Sequence, residues 1–201
     1  AEDLAQQIDS IGGHLDAFTS KEYAGYFIKV LDEHLPLAVD VLSDLVTSPA
    51  FDSAEIEREK KVVLEEIKMV EDTPDDLVHE IFADAMWPAH PLGRPILGEP
   101  ATVSALDRDV LRGYFEDAYV APNFIVAAVG NLEHDRVRDL VSAAFARAGA
   151  AGTPIAETVP LTASRVILRT KDLEQSHVCL GGPGLSHGDA DRYAAYALNT
   201  M

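Results

Sequence analysis

The sequence predicts an α+β fold, on three observations: two adjacent strand-like runs near its start, a succession of amphipathic helical runs, and an apolar run of strand type after residue 123. HLDAFTS (14–20) and EYAGYFIKV (22–30) are rich in aromatic and β-branched residues and close enough to pair antiparallel. Alternation of helices and strands alone leaves an α/β arrangement open.

Leu4, Ile8 and Ile11 mark a first helix, closed by Gly12 and Gly13 ahead of the strand pair. A second helix begins near Leu35 with Pro36 in its first turn, carries Val39, Leu42 and Leu45 at core spacing, and stops at Pro49. Asp52 and Glu55 form a D-x-x-E variant of the capping box, which opens the charged helix EIEREKKVVLEEIKMVED (55–72). Thr73 and Pro74 end that helix and start the next, with Leu77, Ile81, Phe82 and Ala85 apolar. HPLGRPILGEP (90–100) reads as a loop, and Ser104 with Asp107 can cap a helix reaching about Tyr119. FIVAAVGN (124–131) reads as a buried strand, and Val137, Leu140, Val141, Ala144 and Phe145 as the stripe of another helix.

AGAAGTPIAETVPLTAS (148–164) loses the amphipathic period and gains small residues and prolines, as a linker does. The expected domains are 1–147 and 165–201, the second an incomplete start. RVILRT and SHVCLGG are its strand candidates and 190–198 its helix.

Acidic residues outnumber basic ones 34 to 16, giving a formal charge of -18 spread along the chain, which argues against nucleic acid as a partner. No apolar run approaches the roughly 18 residues that cross a bilayer, so a soluble chain without membrane partner is expected. The single cysteine, Cys179, excludes an intrachain disulfide and reads as a buried structural thiol. The seven histidines contain no H-E-x-x-H and no H-x-x-E-H, there is no G-x-S-x-G, and the glycines of GGPG (181–184) match no phosphate loop. His14 and His90 stand beside glycine or proline turns.

In the charged helix, Ile56, Glu59, Val62, Val63, Glu66, Met69 and Val70 share one stripe at 100° per residue. Two carboxylates are thereby expected among core residues, where each needs a pairing cation, hydrogen bonds or a metal. Spacing alone leaves a structural ion pair and a functional site both open.

The ordered set GGHLDAFTSKEYAGYFIKV, LPLAVDVLSDLV, EIEREKKVVLEEI, HPLGRPILG and FIVAAVGN resembles the inverted-motif zinc peptidases, the family of pitrilysin, insulin-degrading enzyme and the mitochondrial processing peptidase. The resemblance implies an antiparallel sheet with helices on one face, and a second domain like the first. It implies zinc as cofactor, with Glu66 as a metal ligand and Glu59 as the neighbouring carboxylate that orients the site. It places H-x-x-E-H, with two histidine ligands and the general base, roughly ten residues before Ala1, so no catalytic residue is assigned within the chain. An extended peptide is the implied partner, added as a strand along His14 to Thr19, with Asp16, Ala17, Phe18 and Thr19 as binding residues. Asp16 stands where relatives commonly carry Asn. The implied activity of the parent protein is zinc-dependent endopeptidase action on peptides or unfolded segments, with the fragment itself inert. The alternative is a non-catalytic peptide-binding subunit of a processing-type heterodimer. Either a homodimer or a heterodimer is compatible with the resemblance.

Overall fold

The structure, a computed structural model, describes residues 2–150 and 158–201. Among these are eight helices and one two-stranded antiparallel sheet, an α+β arrangement. The chain divides into two compact units, residues 1–67 with 96–157, and residues 68–95 with 158–201.

The first unit opens with helix α1 (Glu2–Ser10), whose Ile8 is fully buried. Gly12 takes a φ of 68°, which turns the chain into strand β1 (His14–Thr19). A Cβ at Gly13 would stand within 3 Å of side-chain atoms of Ile8 and Val30, so glycine also permits close packing there. Strand β2 (Ala24–Lys29) pairs with β1 from His14 opposite Lys29 to Thr19 opposite Ala24. Leu15 and Ile28, directly opposite each other, are half-buried and mark the inner face.

Helix α2 (Leu35–Thr47) has proline in its first turn and buries Ala38, Val39, Val41 and Val46. It packs against β2 and against α7 (His134–Ala144), whose Val137, Leu140, Val141 and Ala144 are half-buried at the expected spacing. An aromatic run from Phe51 through Phe115, Tyr119 and Phe124 to Phe145 continues this core, with successive ring centroids 4.8 to 6.2 Å apart.

Helix α3 (Ser53–Asp72) is capped by Asp52, whose Oδ1 accepts from the N–H groups of Ala54 and Glu55. Only this half of the expected box forms, because the Glu55 carboxylate pairs with Arg58 at 2.7 Å. Between α5 (Pro100–Ala105) and α6 (Arg108–Ala118), Asp107 supplies the cap, accepting from Val110 N–H at 2.9 Å. Ser104 belongs to α5 and bonds back to the Pro100 carbonyl instead.

FIVAAVGN forms no strand. Ile125 is 97% and Val129 98% exposed, whereas the sequence predicts a buried run. A strand exists only through its neighbours, and β1 and β2 pair only with each other among the described residues.

In the second unit, the end of α3 turns at Thr73 into α4 (Pro74–Met86), which buries Ala85 and Met86. The chain from Ala163 to Gly181 follows α4. Ala163 N–H donates to the Met86 carbonyl at 3.1 Å, Lys171 reaches the Glu71 carbonyl and Asp72, His177 pairs with Asp75 at 2.7 Å, and the Phe82 ring covers Gly181. RVILRT and SHVCLGG, read as strands, form none here: Val166, Leu168, Val178 and Leu180 are each at least 87% exposed. Helix α8 (Arg192–Thr200) closes the chain. Cys179 is half-buried instead of buried, its Sγ 3.9 Å from His79 Nδ1. Of the linker-like stretch 148–164, residues 151–157 lie outside the described residues. Gly149 accepts from Ala121 N–H at 2.8 Å in the first unit. No helix among the described residues is long and apolar enough to cross a membrane.

Candidate functional site

β1 has β2 on one side only among the described residues. Ser20 N–H donates to the Tyr23 carbonyl at 2.8 Å, which fixes 20:23 as a hydrogen-bonded pair at the hairpin end. Such pairs alternate along an antiparallel ladder, so 18:25, 16:27 and 14:29 also face each other across it. Leu15, Ala17 and Thr19 consequently direct their N–H and C=O groups to the opposite, open edge. Of the residues expected to bind peptide, Ala17 and Thr19 thus present backbone, and Asp16 and Phe18 present side chains on the outer face.

Phe18 is 47% exposed and lies on the face away from Leu15, so it is not a core residue of this strand. Its ring meets Tyr23 edge-on at 5.6 Å. Asp16 is exposed; one carboxylate oxygen accepts from Ala17 N–H at 2.8 Å, and the other lies 4.0 Å from His14 Nε2.

On α3 the inner stripe differs from the one expected. Ile67 is buried, and Ile56, Lys60, Val63, Leu64 and Val70 are half-buried. Glu59 and Glu66 are exposed, as are Val62 at 47% and Met69 at 68%. At 100° per residue both glutamates lie roughly 80 to 100° from the centre of the buried stripe. Apolar residues on two faces of this helix make the stripe ambiguous in sequence, and Lys60 resolves it. Its stem is buried while its ammonium reaches Glu57 at 2.8 Å, an inward lysine the pattern does not anticipate. The carboxylates therefore have no burial cost to offset.

Among the described residues no three His, Cys, Asp or Glu side chains gather as a metal site. The donors among the described residues do not by themselves fit a zinc ion, which takes three or four protein ligands. Glu66 offers one carboxylate. His90, singled out beside its proline turn, serves the local structure. Its Nδ1 accepts from Leu92 N–H at 3.2 Å, so Nε2 carries the proton and donates to Thr158.

Sequence reasoning missed the pair Tyr26 and Tyr119, whose hydroxyls lie 3.0 Å apart. Burial, and then the hydrogen bond to Tyr26, push the Tyr119 phenol well above the usual tyrosine range. Only the strand phase and the end of α6 bring the two together, and neither is a local motif.

The fold is that of the M16-type peptidases. It matches the crystal structure of a peptidase M16 inactive domain from Pseudomonas fluorescens with a TM-score of 0.72, at 18% identity, over 79% of this chain and 39% of that one. In sequence, residues 1–100 match the insulinase family, peptidase family M16, and residues 105–201 match the peptidase M16 inactive domain. The chain belongs to peptidase family M16. It is 41% identical to an uncharacterized zinc protease of Streptomyces coelicolor, over 98% of this chain and 45% of the relative. It is 40% identical to one of Bacillus subtilis, over 100% and 49%. The chain thus spans about half the length of these curated relatives.

Proposed function

We propose that the whole protein is a zinc-dependent endopeptidase acting on peptides or unfolded segments, and that this chain supplies its peptide-receiving strand and one metal ligand. The observation that carries the reading is the open edge of β1, where Leu15, Ala17 and Thr19 turn their backbone groups away from β2. An extended peptide added there is held by main-chain hydrogen bonds with little dependence on its sequence. The kinship with proteins named zinc proteases supports the metal. Glu66 is the carboxylate ligand. Ionised carboxylates only accept hydrogen bonds, so Glu59 acts on the site through a donor on another ligand, such as an imidazole N–H.

The test is zinc content and peptide cleavage in the whole protein and in its Glu66→Gln and Glu59→Gln variants. Glu66→Gln should remove most of the zinc and the cleavage, because a neutral amide is a poorer ligand. Glu59→Gln should lower affinity or activity on the order of 10- to 100-fold. Full zinc and activity in Glu66→Gln would overturn the ligand assignment. A whole protein that binds peptide but holds no zinc is instead a non-catalytic binding subunit.

A further inference from the structure

The open edge of β1 is already occupied at its centre. Ala17 N–H, which the ladder directs outward, donates to the Asp16 carboxylate at 2.8 Å. That contact uses the donor that the carbonyl of an added peptide strand would need. The two acceptors compete for one N–H, so a peptide completes its ladder only after the Asp16 side chain rotates away.

We propose that Asp16 is a built-in competitor for the peptide edge, a positioning residue that holds Ala17 N–H until an extended peptide displaces it. The proposal rests on the peptide-receiving role of β1. The geometry suits a reversible device. Asp16 and His14 have side chains 58% and 67% exposed, so a displaced carboxylate returns to water and leaves no buried charge. An exposed pair at 4.0 Å holds it only weakly in place. Edge strands invite pairing with any passing chain, and a charge along the edge is one means of blunting them.

The experiment uses the whole protein with its metal removed by chelation, so that peptide is bound without being cut. Asp16→Ala and Asp16→Asn are compared with the unmodified protein, and the probe is an uncharged synthetic peptide rich in Ser, Thr and Val. In the free protein, Asp16→Ala should exchange the Ala17 amide about 3- to 10-fold faster, the worth of one net hydrogen bond, with the Phe18 amide unchanged. Its peptide Kd should fall by about the same factor, with KM falling and kcat unchanged in the metal-loaded protein. Asp16→Asn, which keeps an acceptor but no charge, should lie between and guards against a folding defect in the alanine variant. Unchanged or weaker binding in both variants, with Leu15 and Thr19 amides still protected by peptide, overturns the competition and leaves the edge reading standing. Peptide that protects no β1 amide in any of the three proteins overturns the edge reading, and the competition with it.

Discussion

The ring of Phe18 lies across Gly25, with Cε1 only 2.5 Å from where a Cβ at residue 25 would stand. The two residues are directly opposite on β1 and β2. Any side chain at position 25 displaces the ring, and Phe18 is exposed enough to swing out. Gly25→Ala should therefore fold but lose the edge contact between Phe18 and Tyr23, worth about 0.5 to 1.5 kcal/mol. Urea unfolding of Gly25→Ala, Phe18→Ala and the double variant checks this. The double variant should cost less than the sum of the singles, since the clash disappears with the ring. Strict additivity would mean that the ring does not rest on Gly25.

The same substitution at Gly93 should be far more damaging. A Cβ there would overlap the Trp87 carbonyl oxygen and stand 3.2 Å from that of Ala83, and both are backbone atoms at the end of α4. Gly93 is also buried, and its N–H donates to the His90 carbonyl at 2.9 Å. Neither backbone can rotate aside as a ring does. Gly93→Ala should lose about 1 to 3 kcal/mol, measured by denaturant midpoint, with faster amide exchange across 87–94. A loss no larger than that of Gly25→Ala would contradict this packing.

Tyr119 gives a pH dependence with a definite sign. Its phenol is raised above the unfolded value near 10 by burial and by the Tyr26 hydroxyl, so the folded state favours the neutral form. The stability it contributes is complete below pH of about 10 and declines as pH rises from there toward the raised folded value. Spectrophotometric titration should show one tyrosine ionising after the others. Tyr119→Phe should abolish that late step and flatten the alkaline loss of stability, while Tyr26→Phe should lower the step without removing it. Simultaneous ionisation of all tyrosines would refute the assignment.

Helices were legible where apolar residues occupy one face and a cap stands at the start. In α2 the pattern Val39, Leu42, Leu45 and in α7 the pattern Val137, Leu140, Val141 each mark an inward stripe of buried or half-buried residues, and Asp107 is found at the head of α6. α3 was legible as a helix but not in its rotation. Val62 and Met69 compete with Leu64 and Ile67, and the half-buried Lys60 settles the matter only in three dimensions. Strands depend on partners that local sequence does not name. His14 to Lys29 pair because a two-residue turn at Lys21 and Glu22 brings them together, whereas FIVAAVGN has equal strand character and no partner among the described residues. Of the site, the peptide strand was legible as a strand. The competition between Asp16 and a peptide was not, because it depends on which way the Ala17 amide points.

That direction also makes proline a selective probe of β1. Ala17 is opposite Tyr26 in a non-hydrogen-bonded pair, so Ala17→Pro removes an N–H from the open edge and leaves the bonds to β2 intact. Proline is tolerated at edge positions of this kind. Phe18 is opposite Gly25 in a hydrogen-bonded pair, so Phe18→Pro removes a ladder bond and should destabilise the hairpin. In the whole protein, Ala17→Pro should retain near-normal stability and metal content while peptide turnover falls at least about 10-fold, as expected when a main-chain donor to the substrate is lost together with its alignment. Phe18→Pro should lose stability as well. The measurements are thermal unfolding, elemental analysis and peptide cleavage on the same preparations. Full turnover in a folded Ala17→Pro protein would mean that another strand receives the peptide, and unfolding of Ala17→Pro as severe as that of Phe18→Pro would mean that the ladder has the opposite phase.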